Sequence, residues 1–194
     1  MLEPSSQNLC HPLKYRDISL SLVCAEPTVK YYITQLLSSI GVRVVHNAPT
    51  QIFIDIKSSF VIQALECIQC DKIRCIVITW NLCPEYLEDL RDLEPSILIT
   101  AEYFSGLNLM NAISSILEKL SDNRRYQFLP GTRTPLTKSE RSVLRYVARG
   151  WDNKTICETL HLTEQTVKNY LRAIYRKLAL QNRNLLILYY WHIM

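Results

Sequence analysis

Apolar residues in the first 120 positions switch between two spacings. Short β-branched runs at residues 18–24, 42–45, 73–80 and 96–100 read as strands, the last two continuous enough to be buried on both faces, and residues 52–56 offer a further short one. Between them the apolar positions return at helical spacing: 29, 33, 36, 37 and 40, then 60, 61, 64, 65 and 68, with a shorter stretch at 86–93 and a closing helix at 107–120. Strands alternating with helices imply a parallel sheet with helices on both faces. Residues 121–135 break the pattern. They hold two Pro, one Gly and several polar and basic residues with no sustained apolar period, and read as a linker.

Beyond the linker there is no strand signal, and the spacing predicts four helices. Thr137 is placed to cap a helix over 138–149 with Val143, Leu144 and Val147 on one face, and Gly150 stands where it should stop. A short helix at 153–160 follows. Thr163 then caps a third, in which Val167, Leu171, Ile174 and Leu178 recur at spacings of 4, 3 and 4. Only residues 161–163 separate these two helices, and so tight a pair is the helix-turn-helix arrangement. Residues 182–192 form the last helix. The chain thus divides into a tail (1–17), an α/β domain (18–120), a linker (121–135) and an all-α four-helix domain (136–194).

Composition agrees with two folded units. In 194 residues, 48% hydrophobic and 21% charged with four Gly, there is material for a core, which excludes disordered and collagen-like classes. The longest apolar run, 185–191, is far short of the roughly 20 residues a membrane helix needs. With no basic start followed by an apolar stretch, a cytoplasmic address without membrane attachment is expected, and the seven Cys are expected to be thiols. Charge is divided unevenly. Residues 1–120 carry 9 Lys/Arg against 13 Asp/Glu, a balance of −4, and residues 121–194 carry 13 against 5, a balance of +8. A basic segment joined to an acidic one points to a polyanion, most simply double-stranded DNA, as partner of the second domain, and to a regulatory protein partner for the first.

With its apolar stripe turned inward, the third helix presents Gln165, Lys168, Asn169, Arg172 and Arg176 on the opposite face. Lys and Arg can pair with phosphates or with guanine O6 and N7, and Asn can bond adenine through both amide atoms. The alternative is a solvated basic face on a surface helix.

Residues 136–183 resemble the helix-turn-helix domain of LuxR-type (NarL/FixJ-like) bacterial transcription regulators. That pattern runs L-T-x-x-E, A-x-G-x-x-N-K-x-I-x-x-x-L, T-V-K, K-L and a late Arg. It is met here by Leu136, Thr137 and Glu140; by Ala148, Gly150, Asn153, Lys154, Ile156 and Leu160; by Thr166, Val167 and Lys168; and by Lys177, Leu178 and Arg183. Tyr170 stands where a His is usual and Cys157 where Ala is usual. The resemblance implies base reading by Lys168, Asn169 and Arg172. It implies phosphate contacts by Lys154, Thr163, Gln165 and Thr166, and an internal ion pair for Glu140. It also implies homodimerisation through the last helix, with Leu185, Leu188, Tyr189 and Trp191 as contacts. Packing of that helix on the first domain is the competing reading.

The βα order of residues 18–120 resembles the flavodoxin-like receiver of response regulators. A receiver needs an acidic pair after its first strand to hold Mg²⁺, an Asp ending its third strand, a Ser or Thr ending the next, and a Lys later. The run 18–24 ends on Cys24 and is followed by Ala25, Glu26 and Pro27, one carboxylate instead of two. Taking 73–80 as the third strand puts Trp80 on the phosphoacceptor position, Thr100 on the Ser/Thr position, and Asp55 too early. The expectation is a shortened pseudo-receiver, an atypical response regulator that aspartyl phosphorylation does not control.

Cys67 and Cys70 form a C-x-x-C with Cys75 and Cys83 behind them, which could serve a thiol-based redox response or simple packing. The four His show no metal-ligand spacing, and no phosphate-cradling Gly loop or nucleophile triad is recognisable. Neither a metal, a cofactor nor an enzymatic activity is expected. The reading is a sequence-specific DNA-binding transcription regulator. An adaptor that binds protein, or a redox-responsive regulator, are the alternatives.

Overall fold

Why the first 100 residues form a sheet with two different faces follows from the alternation within each strand. The computed structural model describes residues 15–56, 60–68, 73–100, 115–119, 124–128 and 133–193. Strands β1 (Ser19–Cys24), β2 (Arg43–Val44), β3 (Thr50–Asp55), β4 (Arg74–Thr79), β5 (Ile97–Thr100) and β6 (Tyr126–Phe128) lie in the order β2-β1-β3-β4-β5-β6, every pair parallel. Leu20, Leu22, Ile52, Ile54, Ile76, Ile78, Ile97 and Ile99 point to one side, where helix α1 (Pro27–Ser39) supplies Ile33 and Leu37 and a helical stretch at residues 115–119 (α4) supplies Ile116 and Leu117. Phe53, Cys75, Val77 and Leu98 point to the other, under α2 (Phe60–Cys67) and α3 (Pro84–Asp92). The parallel α/β architecture expected from the alternating pattern is the one observed, followed by four helices: α5 (Lys138–Ala148), α6 (Asn153–Leu160), α7 (Glu164–Leu178) and α8 (Arg183–Tyr190).

Two expectations are corrected. The weak apolar run near residue 52 is a full central strand, Thr50–Asp55, paired with β4 over its length and with β1 over residues 51–54. It is therefore the third strand, and Arg74–Thr79 is the fourth. Asp55, not Trp80, ends the third strand, and Thr79, not Thr100, ends the fourth. The second correction concerns residues 126–128. They lie inside the expected linker but add a sixth strand, held by backbone bonds to β5 beginning with Tyr126 N to the Ser96 carbonyl at 3.0 Å. An edge strand of three residues needs no apolar repeat, so the pattern could not announce it. Residues 107–114 of the expected closing helix lie outside the described residues.

The second side of the sheet and the helical part share one continuous core, in which Tyr86 and Leu90 of α3 meet Val143, Leu144 and Val147 of α5 and Leu186 and Tyr190 of α8. Tyr86 packs edge-on against Tyr190 and Trp191, with ring centroids 5.5 and 5.8 Å apart. Charge crosses the same seam. Arg141 donates to Asp89 at 2.7 Å and to Asp92 at 2.9 Å, the Tyr190 hydroxyl donates to Asp89 at 2.7 Å, and Arg145 and Arg149 donate to Glu66 at 3.1 and 3.0 Å. Asp89 is 1% exposed. Burial pushes its carboxyl up from the ordinary value, against the pull of Arg145, Tyr190 and Arg141.

Removing the cation strands a buried carboxylate. Arg141→Ala is therefore expected to lower the unfolding free energy by about 3 kcal/mol, read from urea denaturation. A loss under about 1 kcal/mol would show that Asp89 is resolvated instead.

Candidate nucleic-acid interface

Each helix of the C-terminal part begins with a residue that satisfies its free amides, which fixes where the chain turns. At α5, Thr137 and Glu140 form a reciprocal capping box: the Glu140 amide donates to the Thr137 hydroxyl at 3.3 Å and the Thr137 amide to the Glu140 carboxylate at 2.7 Å. The same carboxylate accepts from Lys177 of α7 at 2.7 Å, the internal ion pair expected of it. Burial works to raise the Glu140 carboxyl, but the bonds from Lys177 and Thr137 outweigh it and hold it below its ordinary value. At α6 the Asp152 carboxylate accepts from the Thr155 amide at 2.8 Å, and that bond holds Asp152 low. Arg183 ties the loop before α6 to α8 by donating to Asn153 at 3.1 Å and to the Trp151 carbonyl.

The turn between α6 and α7 closes through His161, exposed and left-handed at φ 53°, with the Leu162 amide donating to the Cys157 carbonyl at 3.0 Å. Thr163 caps α7, accepting from the Thr166 amide at 3.2 Å, and its hydroxyl lies 2.8 Å from that of Thr166. Val167, Leu171 and Ile174 are buried beneath, and Leu178 is half-buried.

Of the residues expected to meet DNA, Gln165, Lys168, Asn169, Arg172 and Arg176 are all exposed on α7, and Lys154 is exposed on α6. Thr163 is exposed and Thr166 half-buried at the α7 start. Two pairs pre-arrange the face: the Gln165 amide donates to the Asn169 carbonyl oxygen at 3.0 Å, and Lys168 lies 2.7 Å from Glu164 one turn earlier. Arg172 and Arg176 have no ion-pair partner among the described residues. Tyr170 is half-buried and packs on the core.

The expected dimer residues divide. Leu188 is exposed and Leu185 half-buried on α8. Tyr189 and Trp191 instead join the contact with the first module, Tyr189 donating to Glu85 at 2.8 Å and Trp191 stacking edge-on against Tyr86. Cys67 is exposed at the end of α2, and Cys70 lies outside the described residues. Cys83 is buried and donates to Glu85 at 3.3 Å; burial first, then the Glu85 charge, drives its thiol far above the ordinary value, so it stays protonated. Among the described residues no cluster of three or more His, Cys, Asp or Glu could hold a metal ion, and no helix is long and apolar enough to cross a membrane.

Sequence reasoning missed the seam: Glu66, Glu85, Asp89 and Asp92 on one side, Arg141, Arg145 and Arg149 on the other. The signal was there in the i, i+4 spacing of Glu85 with Asp89 and of Arg141, Arg145 and Arg149, which puts like charges on one stripe of each helix. Arg141, Arg145 and Arg149, with Arg125 on Glu94 and Lys138 on Asp92, are basic residues of the second part that answer acids of the first. Lys154, Lys168, Arg172 and Arg176 lie exposed on α6 and α7.

Residues 134–190 match a family described as bacterial regulatory proteins, luxR family. The nitrate/nitrite response regulator protein NarL of Escherichia coli K12 is 30% identical over 96 residues, which is 48% of this chain and 44% of NarL. The transcriptional regulatory protein DesR of Bacillus subtilis is 35% identical over 77 residues, 39% of each chain. The chain spans less than half the length of these curated relatives. Among solved structures, RcsB of Salmonella enterica serovar Typhimurium bound to promoter rprA superposes with a TM-score of 0.52 at 20% identity over 89% of this chain and 98% of that one. This likeness extends the fold match across both modules.

The depressed Glu140 carboxyl carries a sign. Because its value falls below the ordinary 4.5 on folding, the stability it adds is present above that pH and is lost as pH drops through the depressed value. Glu140→Gln is expected to cost about 1 kcal/mol at neutral pH and much less in acid, where the wild type has lost the same interaction. Denaturation curves at both conditions check this, and equal losses at both would contradict it.

Proposed function

We propose, from the match of residues 134–190 to the luxR family of bacterial regulatory proteins, that the chain is a sequence-specific transcription regulator that binds double-stranded DNA through α7 as a homodimer. The carrying observation is that Gln165, Lys168, Asn169, Arg172 and Arg176 are all exposed on a helix whose other face is locked into the core. A capped helix with a rigid back can enter the major groove without losing further order. Lys168, Asn169 and Arg172 then face base edges, Lys168 exchanging Glu164 for a guanine acceptor or a phosphate. Thr163, Gln165, Thr166 and Lys154 meet the backbone, helped by the partial positive charge of the α7 N-terminus. A protein of this organisation works in the cytoplasm, and the acidic first module offers a surface for a regulatory protein partner.

The first module is a receiver-like unit that aspartyl phosphorylation does not control. Asp55 ends the third strand but is 1% exposed, and one carboxylate oxygen accepts from Thr79 at 2.6 Å and from Tyr86 at 2.7 Å. Attack on a phosphodonor needs an accessible carboxylate oxygen, and Asp55 lies buried beneath these donors. The residues present also do not fit Mg²⁺: β1 ends on Cys24, Ala25 and Glu26 follow, and Glu26 is the exposed N-cap of α1. Asp55 thereby serves as a structural acceptor that ties β3 to β4 and α3.

Lys168→Ala and Arg172→Ala are each expected to weaken specific DNA binding by about 1–3 kcal/mol while leaving the fold intact, measured by fluorescence anisotropy on a selected operator. Affinity should also fall steeply with salt, since several phosphates are neutralised. A folded double variant with unchanged, salt-insensitive affinity would favour the adaptor reading. For the first module, incubation with a small-molecule phosphodonor and Mg²⁺ should leave the intact mass unaltered. An acyl phosphate on Asp55 would overturn the phosphorylation-independent reading.

A further inference from the structure

We propose that a cavity at the β1–β2 edge of the first module binds a small organic carboxylate with an aliphatic body, giving this module a chemical input other than phosphate. The cavity measures about 380 Å³, within the size range of small-molecule sites. Neither Asp55 nor any residue of α8 lines it, so it stands or falls separately from the DNA-binding and homodimer readings.

The way the sheet ends makes the cavity. β2 pairs only with Ser19 and Leu20 of β1, and beyond it the Val45 amide donates to the Leu20 carbonyl at 2.9 Å. β1 runs on to Cys24 with β3 along its other side, so among the described residues no strand covers residues 21–24 on the β2 side. Leu22, two positions after Leu20, turns its backbone N–H and C=O the same way, toward this gap. Buried Ser21 fixes the loop that walls it: its hydroxyl donates to the Val45 carbonyl at 2.9 Å and accepts from the Ala48 amide at 2.7 Å. α1 closes the remaining side with Lys30 and Thr34, one turn apart. The recess thus lies beside the carboxyl end of β1, the end of a parallel sheet at which ligands are received.

Its lining is aliphatic within and cationic at the rim. Leu22, Val23, Val44 and Val45 supply the apolar walls, and Val45 is left 43% exposed. No Phe, Tyr or Trp lines the recess, which favours an aliphatic body over a stacked base. Lys30 and His46 are exposed at the rim, and neither has an ion-pair partner among the described residues. Asn47 and Gln51 add side-chain amide donors. No Asp or Glu lines the cavity, although residues 1–120 carry 13 acids against 9 Lys/Arg. In a module of negative balance, a recess whose charged lining is cationic selects an anion. Inorganic phosphate would leave the four aliphatic side chains uncovered, and a bare hydrocarbon would leave Lys30 unanswered. A carboxylate on an aliphatic body meets both.

The probe is octanoate, titrated into the full chain and followed by amide chemical shifts, with octanol and inorganic phosphate as controls. Saturable one-to-one binding with a dissociation constant of roughly 1 mM or tighter is expected, with the largest shifts at residues 21–24, 30–34 and 44–47 and weaker binding of both controls. Lys30→Glu reverses the rim charge and should weaken octanoate by roughly tenfold or more. Val45→Trp fills the recess without touching its charge and should abolish binding. Both positions are exposed, so both variants should melt close to the wild type. The proposal is overturned if octanoate does not saturate, if the shifts map elsewhere, or if octanol or inorganic phosphate binds as tightly. Wild-type affinity in the folded variants also overturns it.

Discussion

The buried carboxylate of Asp89 is the constraint on which the arrangement of this protein depends. A charge this deep is tolerated only where cations and hydrogen-bond donors surround it. Here they come from the other module: Arg141 donates at 2.7 Å, the Tyr190 hydroxyl donates at 2.7 Å, and the Arg145 guanidinium stands 3.7 Å away. Neither half can satisfy its part of the seam alone. Arg141 is held charged, despite burial that works the other way, by the hydrogen bond it donates to Asp92 and by the charge of Asp89. The seam therefore sets α5 and α8 against α3, and through α5 it sets where α7 points its free face.

This changes the meaning of the uneven charge. Read as a total, the excess of +8 in residues 121–194 is a single basic surface seeking a polyanion. In the fold it separates into two populations. Arg141 and Arg145 on one stripe of α5, with Arg149 just past its end, answer Glu66, Asp89 and Asp92. Lys154, Lys168, Arg172 and Arg176 lie exposed on the helix-turn-helix pair. Only the second group has the exposure that phosphate and base contacts demand.

How much of this was legible in the sequence varied with how local the cause was. The C-terminal helices could be read almost residue by residue, because Thr137, Asp152, Thr163 and Asn182 cap them through bonds spanning three positions. The exposed face of α7 followed from the spacing of Val167, Leu171 and Ile174. The sheet order was legible as a class, but β3 was undervalued: Thr50 and Gln51 open it with polar residues, so only its second half looks like a strand. That one misjudged strand moved the phosphoacceptor position from Asp55 to Trp80. β6 is held by backbone bonds to its neighbour and leaves no apolar trace. The seam is non-local by nature, since Asp89 and Arg141 are 52 positions apart and the spacing on each helix says only that a charged stripe exists.

Asn81 shows why the two ends of the first module cannot be treated separately. Its amide donates to the Thr79 hydroxyl at 3.0 Å, that hydroxyl donates to Asp55 at 2.6 Å, and its side chain donates to the Tyr190 carbonyl at 2.9 Å. The strand ends, where open parallel sheets receive their ligands, are thereby two hydrogen bonds from the last helix. Tyr86 runs beside this route, with its hydroxyl on Asp55 and its ring on Tyr190 and Trp191. A buried polar chain of this kind holds only while every member is satisfied, because a single donor turned away leaves its neighbour unpaired in a medium without water. The position that a receiver would use for phosphate is here filled by the module's own side chains, and the same side chains grip α8. Displacing Asp55 from Thr79 and Tyr86 would loosen that grip, so the strand ends and α8 are mechanically connected through Tyr86.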